Sequence, residues 1–260
     1  SDKALAEAKI TGDAREAGTG KVDGKYTRVP RQDELDLDPH AAFVHYTTNN
    51  TIMGTEFHHY IDAGDVPVVA DMSSDILSRP IDVSRFGLIY AGAQKNLGPS
   101  GITVLILHKD LADRSPDSIP KIFRYSTILA GDSLQNTIPT FPVYMFRNVL
   151  RWVQDLGGAA AMERRNREKS DMIYGMIDSN PDFFRCPVER ESRSLMNPVF
   201  RLPSEDLEKE FIAEAAHAGM VGIKGHRSVG GIRTSIYNAM EPSDVGRFVE
   251  FAESFARGNG

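Results

Sequence analysis

The sequence predicts an α/β protein with a second, smaller α+β domain at its C-terminal end. Two observations carry the first part. Val66-Pro67-Val68-Val69-Ala70-Asp71, Gly87–Ala91 and Ile102–Leu107 are short continuous apolar runs containing β-branched residues, as in buried strands. The second run leads into the glycine-bracketed stretch Gly92-Ala93-Gln94-Lys95-Asn96-Leu97-Gly98-Pro99-Ser100-Gly101. A third observation carries the second part: beyond Gly157-Gly158, long helical stretches alternate with short strand-like ones. With 260 residues there is room for one large domain or two ordinary ones. The expected division is a large domain over 1–160 and a small one over 161–260, with a long helix bridging them.

The elements follow in order. Ser1–Ala8 reads as a helix with Ser1 as its N-cap. Thr11–Asp38 is polar and glycine-punctuated, a loop with one short strand near Tyr26–Val29. Phe43–Tyr46 is strand-like and runs into the hydroxyl and amide cluster Thr47-Thr48-Asn49-Asn50-Thr51. The connection between Gly87–Ala91 and Ile102–Leu107 is too short for a parallel crossover, so those strands are expected antiparallel. A Pro/Ser-rich loop and the turn-rich Thr127–Thr140 precede a helix from Pro142 to about Leu156. Gly157-Gly158 breaks it, and Ala159–Asn180 forms the next helix. The mixed-sign run Glu163–Lys169 reads as its solvated face. From Phe183 the expectation is a short strand, a strand over Asn197–Leu202, a helix over Glu205–Ala218, and short strands at Met220–Ile223 and Gly231–Ile236. A closing helix over Glu241–Ala256 follows, with Ser243 as N-cap.

Composition excludes several classes. Its 41% hydrophobic and 25% charged residues are those of a soluble globular chain, and no apolar run reaches membrane-span length. A formal charge of −6 leaves no electrostatic footprint for nucleic acid. The single Cys186 excludes an internal disulfide and a cysteine-based metal site. His58-His59 point to different sides and have no third ligand at suitable spacing, so no metal site is expected.

Lys95 lies on a glycine-bracketed turn at a strand end, where small neighbours let a planar ligand come close. Partial desolvation there would make its amine a nucleophile toward carbonyl carbon; the alternative is a solvated turn lysine. Asp71 ends a buried strand, where open α/β sheets bind ligands; the alternative is a helix N-cap. Pyridoxal phosphate chemistry needs such a pair, an amine to form the Schiff base and an acid to keep the pyridine nitrogen protonated. Lys224-Gly225-His226-Arg227-Ser228-Val229-Gly230-Gly231-Ile232-Arg233 sets cationic groups among glycines, either a cradle for a polyanion or an exposed basic hairpin.

Ala70-Asp71-Met72-Ser73-Ser74, Leu77–Arg85 and Tyr90-Ala91-Gly92-Ala93-Gln94-Lys95-Asn96-Leu97-Gly98-Pro99 closely resemble the phosphoserine aminotransferase family, class-V pyridoxal-phosphate enzymes of the aspartate-aminotransferase fold. The resemblance runs along the whole chain and implies a family N-terminal portion that precedes Ser1. It implies Lys95 as the catalytic, Schiff-base lysine, with Asp71 on the pyridinium, Gln94 on the cofactor phosphate and Thr51 on the ring hydroxyl. Asn136 and Thr137 would reach the cofactor phosphate of a neighbouring subunit. Arg233 would clamp the substrate carboxylate, and His226 and Arg227 the substrate phosphate in the partner's site.

The implied protein is a cytoplasmic homodimer with shared sites. It would pass glutamate's amino group through pyridoxal 5'-phosphate to 3-phosphohydroxypyruvate, giving phosphoserine and 2-oxoglutarate in serine biosynthesis. A related phosphorylated acid of pyridoxine biosynthesis is a further implied substrate. The rival readings are a non-catalytic remnant that keeps the fold and dimer surface, and another class-V relative such as a desulfurase or a serine–glyoxylate transaminase.

Overall fold

The structure is a computed structural model and describes residues 2–260. The proposed cap at Ser1 lies outside the described residues. In chain order, helix α1 (Asp2–Thr11) is followed by a small antiparallel hairpin of β1 (Lys21–Val22) and β2 (Lys25–Tyr26). The strand expected near Tyr26–Val29 therefore lies earlier. Asp23 and Gly24 take φ of +50° and +79°, the left-handed pair that a two-residue hairpin turn needs.

The sheet that positions the site has four strands: β3 (Val44–Thr47), β6 (Val68–Asp71), β7 (Leu88–Gly92) and β8 (Thr103–Leu107). Between the first two, β4 (Asn49–Asn50) pairs antiparallel with β5 (Thr55–Glu56). β3, β6 and β7 are mutually parallel, and β8 returns antiparallel to β7 as the short connection requires. The carboxyl ends of β3, β6 and β7 and the start of β8 thus share one edge of the sheet. Gly98 and Gly101 shape the intervening turn, with φ of +142° and +109°.

After β8 come a single helical turn, α2 (Lys109–Ala112), and a short α3 (Tyr125–Ala130). Helix α4 (Thr140–Asp155) and α5 (Gly158–Ser179) meet at Gly157, whose φ of +102° lets the chain reverse. A two-stranded ribbon of β9 (Val199–Phe200) and β10 (Ile232–Arg233) packs with α5, α6 (Glu205–His217) and α7 (Pro242–Asn259).

Four expectations are corrected here. Met220–Ile223 is not a strand: Gly219 and Gly222 take φ of +82° and +78°, leaving only an isolated bridge from Lys224 to Ile232. No strand begins at Phe183, where Phe183 and Phe184 turn back onto the Asn180 carbonyl and only Arg185 bridges to Arg201. The last helix is capped by Glu241, with Pro242 in its first turn, so Ser243 lies inside it. Finally, Glu163–Lys169 is a solvated face only in part: Arg164, Arg167 and Glu168 are exposed, while Asn166 and Lys169 are completely buried.

Apolar side chains gather in two clusters. One lies on the four-stranded sheet and includes Tyr46, Val68, Ile89 and Leu97. The other surrounds Phe200 and Phe211, with Ile173, Phe184, Phe248 and Phe255. Between them runs a polar seam of buried asparagines. Asn49 Nδ2 donates to Ser74 Oγ and to Asn197 Oδ1, each at 2.8 Å, and Ser194 Oγ donates to Asn49 Oδ1 at 2.6 Å.

Candidate active site

Asp71 closes β6, and its backbone carbonyl accepts from the Thr48 N–H at 3.1 Å. No helix follows, which removes the N-cap reading. Its Oδ1 instead accepts from the Ser73 N–H at 2.9 Å and the Ser73 hydroxyl at 2.6 Å, which fixes the carboxylate on the site edge. Tyr90 lies opposite Asp71 in the parallel register. The Tyr90 hydroxyl is 3.0 Å from His45 Nε2, and the two rings stack with centroids 5.9 Å apart. Burial first, then the Asp71 charge, pushes the Tyr90 phenol up to about 12, so it stays a neutral donor beside the acid.

Lys95 sits in the turn after β7, where the Leu97 and Gly98 N–H groups both close onto the Ala93 carbonyl. Its Nζ donates to Thr51 Oγ1 at 2.6 Å. Thr51 belongs to a tight turn held by Asn50 Oδ1, which accepts from the Ile52 and Met53 N–H groups. Partial burial lowers the ammonium's affinity for its proton; Asp71 opposes that shift, Arg233 reinforces it, and Asp75 opposes it. The amine, the strand-end acid and the arginine therefore share one electrostatic neighbourhood. Arg233 ends β10, and its buried Nε has no hydrogen-bond partner among the described residues. The planar fork of a guanidinium suits the paired oxygens of a carboxylate.

A cavity of about 400 Å³ opens beside Lys95 and is lined also by Asn148, Trp152 and Ala239. Trp152 is half-buried at its wall. Gln94 is exposed next to the amine, and its side chain folds back over Gly92. A Cβ at Gly92 would stand 2.7 Å from Gln94 Oε1, so a side chain at that position would displace the amide.

Beneath these groups lies a pair the sequence reading did not single out. Asp75 is buried, its Oδ1 accepts from Thr48 Oγ1 at 2.5 Å, and burial, then the neighbouring Glu56, raises its carboxyl to about 7. Glu56 is fully buried, with its Oε1 3.6 Å from Arg79 Nε. Ser73, Asp75, Tyr90 and Asn96 carry no assigned role in the sequence reading, and Thr48 enters it only within the strand-end cluster. Ser73, two residues after a strand-end Asp, was readable as a side chain that fastens that carboxylate.

Four of the expected site residues are not brought to Lys95 within the chain. Asn136 and Thr137 are exposed on the turn before α4, where Asn136 Nδ2 donates to the Thr137 carbonyl at 3.2 Å. His226 Nδ1 lies 2.7 Å from Ser228 Oγ, and Arg227 is exposed. Among the described residues, no hydrogen bond joins any of the four to Lys95, Asp71 or Arg233. Among those residues, too, no group of three or more His, Cys, Asp or Glu is arranged to hold a metal, and no helix is long and apolar enough to cross a membrane.

The donor set fits pyridoxal 5'-phosphate. A partly dried amine and a fixed carboxylate share one edge of the four-stranded sheet, and the Arg233 guanidinium of the neighbouring ribbon is among the charges that act on the amine.

Comparison with known proteins gives the same answer. The aminotransferase class-V family matches residues 17–248. The phosphoserine aminotransferase of Desulfatibacillum aliphaticivorans is 49% identical over 261 residues, spanning 100% of this chain and 72% of that protein. The solved phosphoserine aminotransferase from Bacillus circulans subsp. alkalophilus superposes with a TM-score of 0.97 at 48% identity, covering 100% of this chain and 72% of that one. The pyridoxal-phosphate-bound enzyme from Trichomonas vaginalis gives 0.90 at 35% identity, covering 97% and 72%. The chain therefore spans about seven-tenths of the length of the relatives it matches.

Proposed function

This chain belongs to the class-V aminotransferases, among the phosphoserine aminotransferases, and on that footing we propose that it exchanges an amino group between phosphoserine and 2-oxoglutarate. The observation that carries this reading is the Lys95 amine, held by Thr51 at 2.6 Å, on the same sheet edge as the Asp71 carboxylate that Ser73 fastens at 2.6 Å. Pyridoxal 5'-phosphate, when bound, supplies the electron-accepting ring of the transfer.

The chain's own residues do the rest. Lys95 would hold the cofactor through its amine and would move the proton at the substrate Cα. Thr51 orients that amine. Asp71, fixed by Ser73, stabilises positive charge on the ring nitrogen, and Gln94 binds the cofactor phosphate. Arg233 takes the substrate α-carboxylate in its planar fork and so sets which Cα bond lies across the ring.

Asn136, Thr137, His226 and Arg227 are accessible on one copy and stand apart from its own Lys95. We assign them to the site of a second copy, the first pair to its cofactor phosphate and the second to its substrate phosphate. We propose with this a homodimer with shared sites, a large domain over 1–160 and a small one over 161–260, and a place in cytoplasmic serine synthesis.

The test is cofactor retention. Purified chain mixed with pyridoxal 5'-phosphate and desalted should keep a visible absorbance band, and borohydride should fix the cofactor on the peptide containing Lys95. Glutamate should bleach the band and 3-phosphohydroxypyruvate restore it. A chain that retains no cofactor is the non-catalytic remnant instead. One that responds to serine but not to phosphoserine belongs to another branch of the family.

A further inference from the structure

Helix α5 turns two polar side chains toward the interior, one helical turn apart. Asn166 and Lys169 are each 0% exposed and lie on the stripe that also carries Met162, Ile173 and Met176. Lys169 Nζ donates to the carbonyls of Ile236 and Tyr237, both at 2.8 Å. Asn166 Nδ2 donates to Asn238 Oδ1 at 2.8 Å and to the Ser78 carbonyl at 2.9 Å. Asn238 in turn donates through its N–H to Asn96 Oδ1 at 3.1 Å and through Nδ2 to the Leu77 carbonyl at 3.0 Å.

The segment 236–238 is thus fastened on one side to α5 and on the other to Asn96, the residue next to Lys95. At its other end it continues from Arg233 as extended chain bonded along its length. The Arg233, Thr234 and Ile236 N–H groups donate to the carbonyls of Ile223, Pro198 and Met196. Between the amine and the arginine there is no unanchored stretch in which the spacing of the two could drift.

A lysine withdrawn wholly from water is a poor choice if filling space is all that is needed. An apolar side chain of similar length would avoid desolvating a charge. What the ammonium adds is direction: two charge-assisted bonds to consecutive carbonyls fix the rotation of that backbone, which no hydrocarbon can do. That backbone leads back, within three residues, to Arg233.

We infer that Lys169 is a positioning residue for substrate binding: together with Asn166 it holds 236–238 in place and so sets where Arg233 meets a carboxylate above Lys95. Lys169 itself touches neither cofactor nor substrate. The inference rests on the proposed roles of Lys95 and Arg233, and its test separates the two.

The test uses the full chain carrying Lys169→Met, loaded with pyridoxal 5'-phosphate and followed by the bleaching of its visible band with glutamate. Cofactor retention should match wild type, the half-saturating glutamate concentration should rise at least tenfold, and the limiting rate should change less than threefold. A variant that merely loosens the fold would lose cofactor and rate together. Unchanged half-saturation in a folded, loaded variant overturns the inference.

Amide exchange on the same proteins keeps the two readings apart. If wild type binds no cofactor, the proposed function fails, yet faster exchange confined to 233–238 in Lys169→Met still supports the anchoring, and unchanged exchange there rejects it. Should the methionine variant fail to fold, Lys169→Gln, a neutral donor able to reach one carbonyl, should show the same pattern with a smaller, roughly threefold, rise. Wild-type behaviour in that variant also rejects the inference.

Discussion

Lys95 Nζ and Thr51 Oγ1, forty-four positions apart in sequence, lie 2.6 Å from each other. The contact joins the turn after β7 to the turn after β4, and it aims the amine before any cofactor arrives. Thr51→Val keeps the shape and removes the hydroxyl. A lost hydrogen bond to a charged group is worth about 1.5–3 kcal/mol. Cofactor affinity, read by titrating the visible band, should fall roughly tenfold or more, while the thermal midpoint of the cofactor-free chain stays within a few degrees of wild type.

Asp75 gives a prediction on pH. Its folded carboxyl is raised to about 7 from an ordinary value of 3.8, so between those values the folded chain holds a proton that the unfolded chain has released. Stability must therefore fall as pH rises from about 4 to about 7. Asp75→Asn removes that dependence, and its amide oxygen can still accept from Thr48. In urea titrations the variant should be the more stable protein at pH 8 by a few kcal/mol, and the gap should narrow toward pH 5. A constant gap across that range would contradict the assignment.

Lys169 predicts the opposite slope in a different window. Burial, chiefly, then the neighbouring Arg165, lowers its ammonium to about 8 from 10.5, with Glu241 opposing. Between those values the unfolded chain binds the extra proton, so this lysine's contribution improves as pH rises from about 8 to about 10.5. The shift corresponds to about 3 kcal/mol across the window. Denaturation midpoints of wild type and Lys169→Met, compared at pH 7.5 and pH 10, should show this rise in the wild type alone.

Phe211 tests the second apolar cluster. It is completely buried and meets Phe200, Phe248, Phe251 and Phe255 with ring centroids 5.1 to 6.2 Å apart. Phe211→Ala should destabilise by about 3–5 kcal/mol, through lost burial and the cavity left behind. Calorimetry should show the lowered midpoint, while cofactor affinity at 20 °C stays close to wild type.

The two residues at the centre of the proposed site stand out in the local pattern of the chain. Buried strands must end somewhere, and a carboxylate at Asp71 and a lysine between glycines at Lys95 are conspicuous against apolar runs. The antiparallel turn-back of β8 followed from connection length alone. Lys169 and Asn166 were misread because charge composition was weighed over periodicity. Counted at helical spacing, Met162, Asn166, Lys169, Ile173 and Met176 form one stripe, and polar residues on it belong inside. The strand expected at Met220–Ile223 failed because Gly219 and Gly222 adopt left-handed backbone that hydrophobicity does not report. Asp75 gave no local signal, since its burial depends on Thr48 and Glu56 arriving from distant parts of the chain.

The seam between the two apolar clusters has a mechanical consequence. Amide-to-amide bonds through Asn49, Asn96, Asn166, Asn197 and Asn238 are directional, so a lateral slip of an ångström or two would break several at once, whereas water could replace each one if the halves moved straight apart. Such a joint resists shear and yields to hinge-like opening.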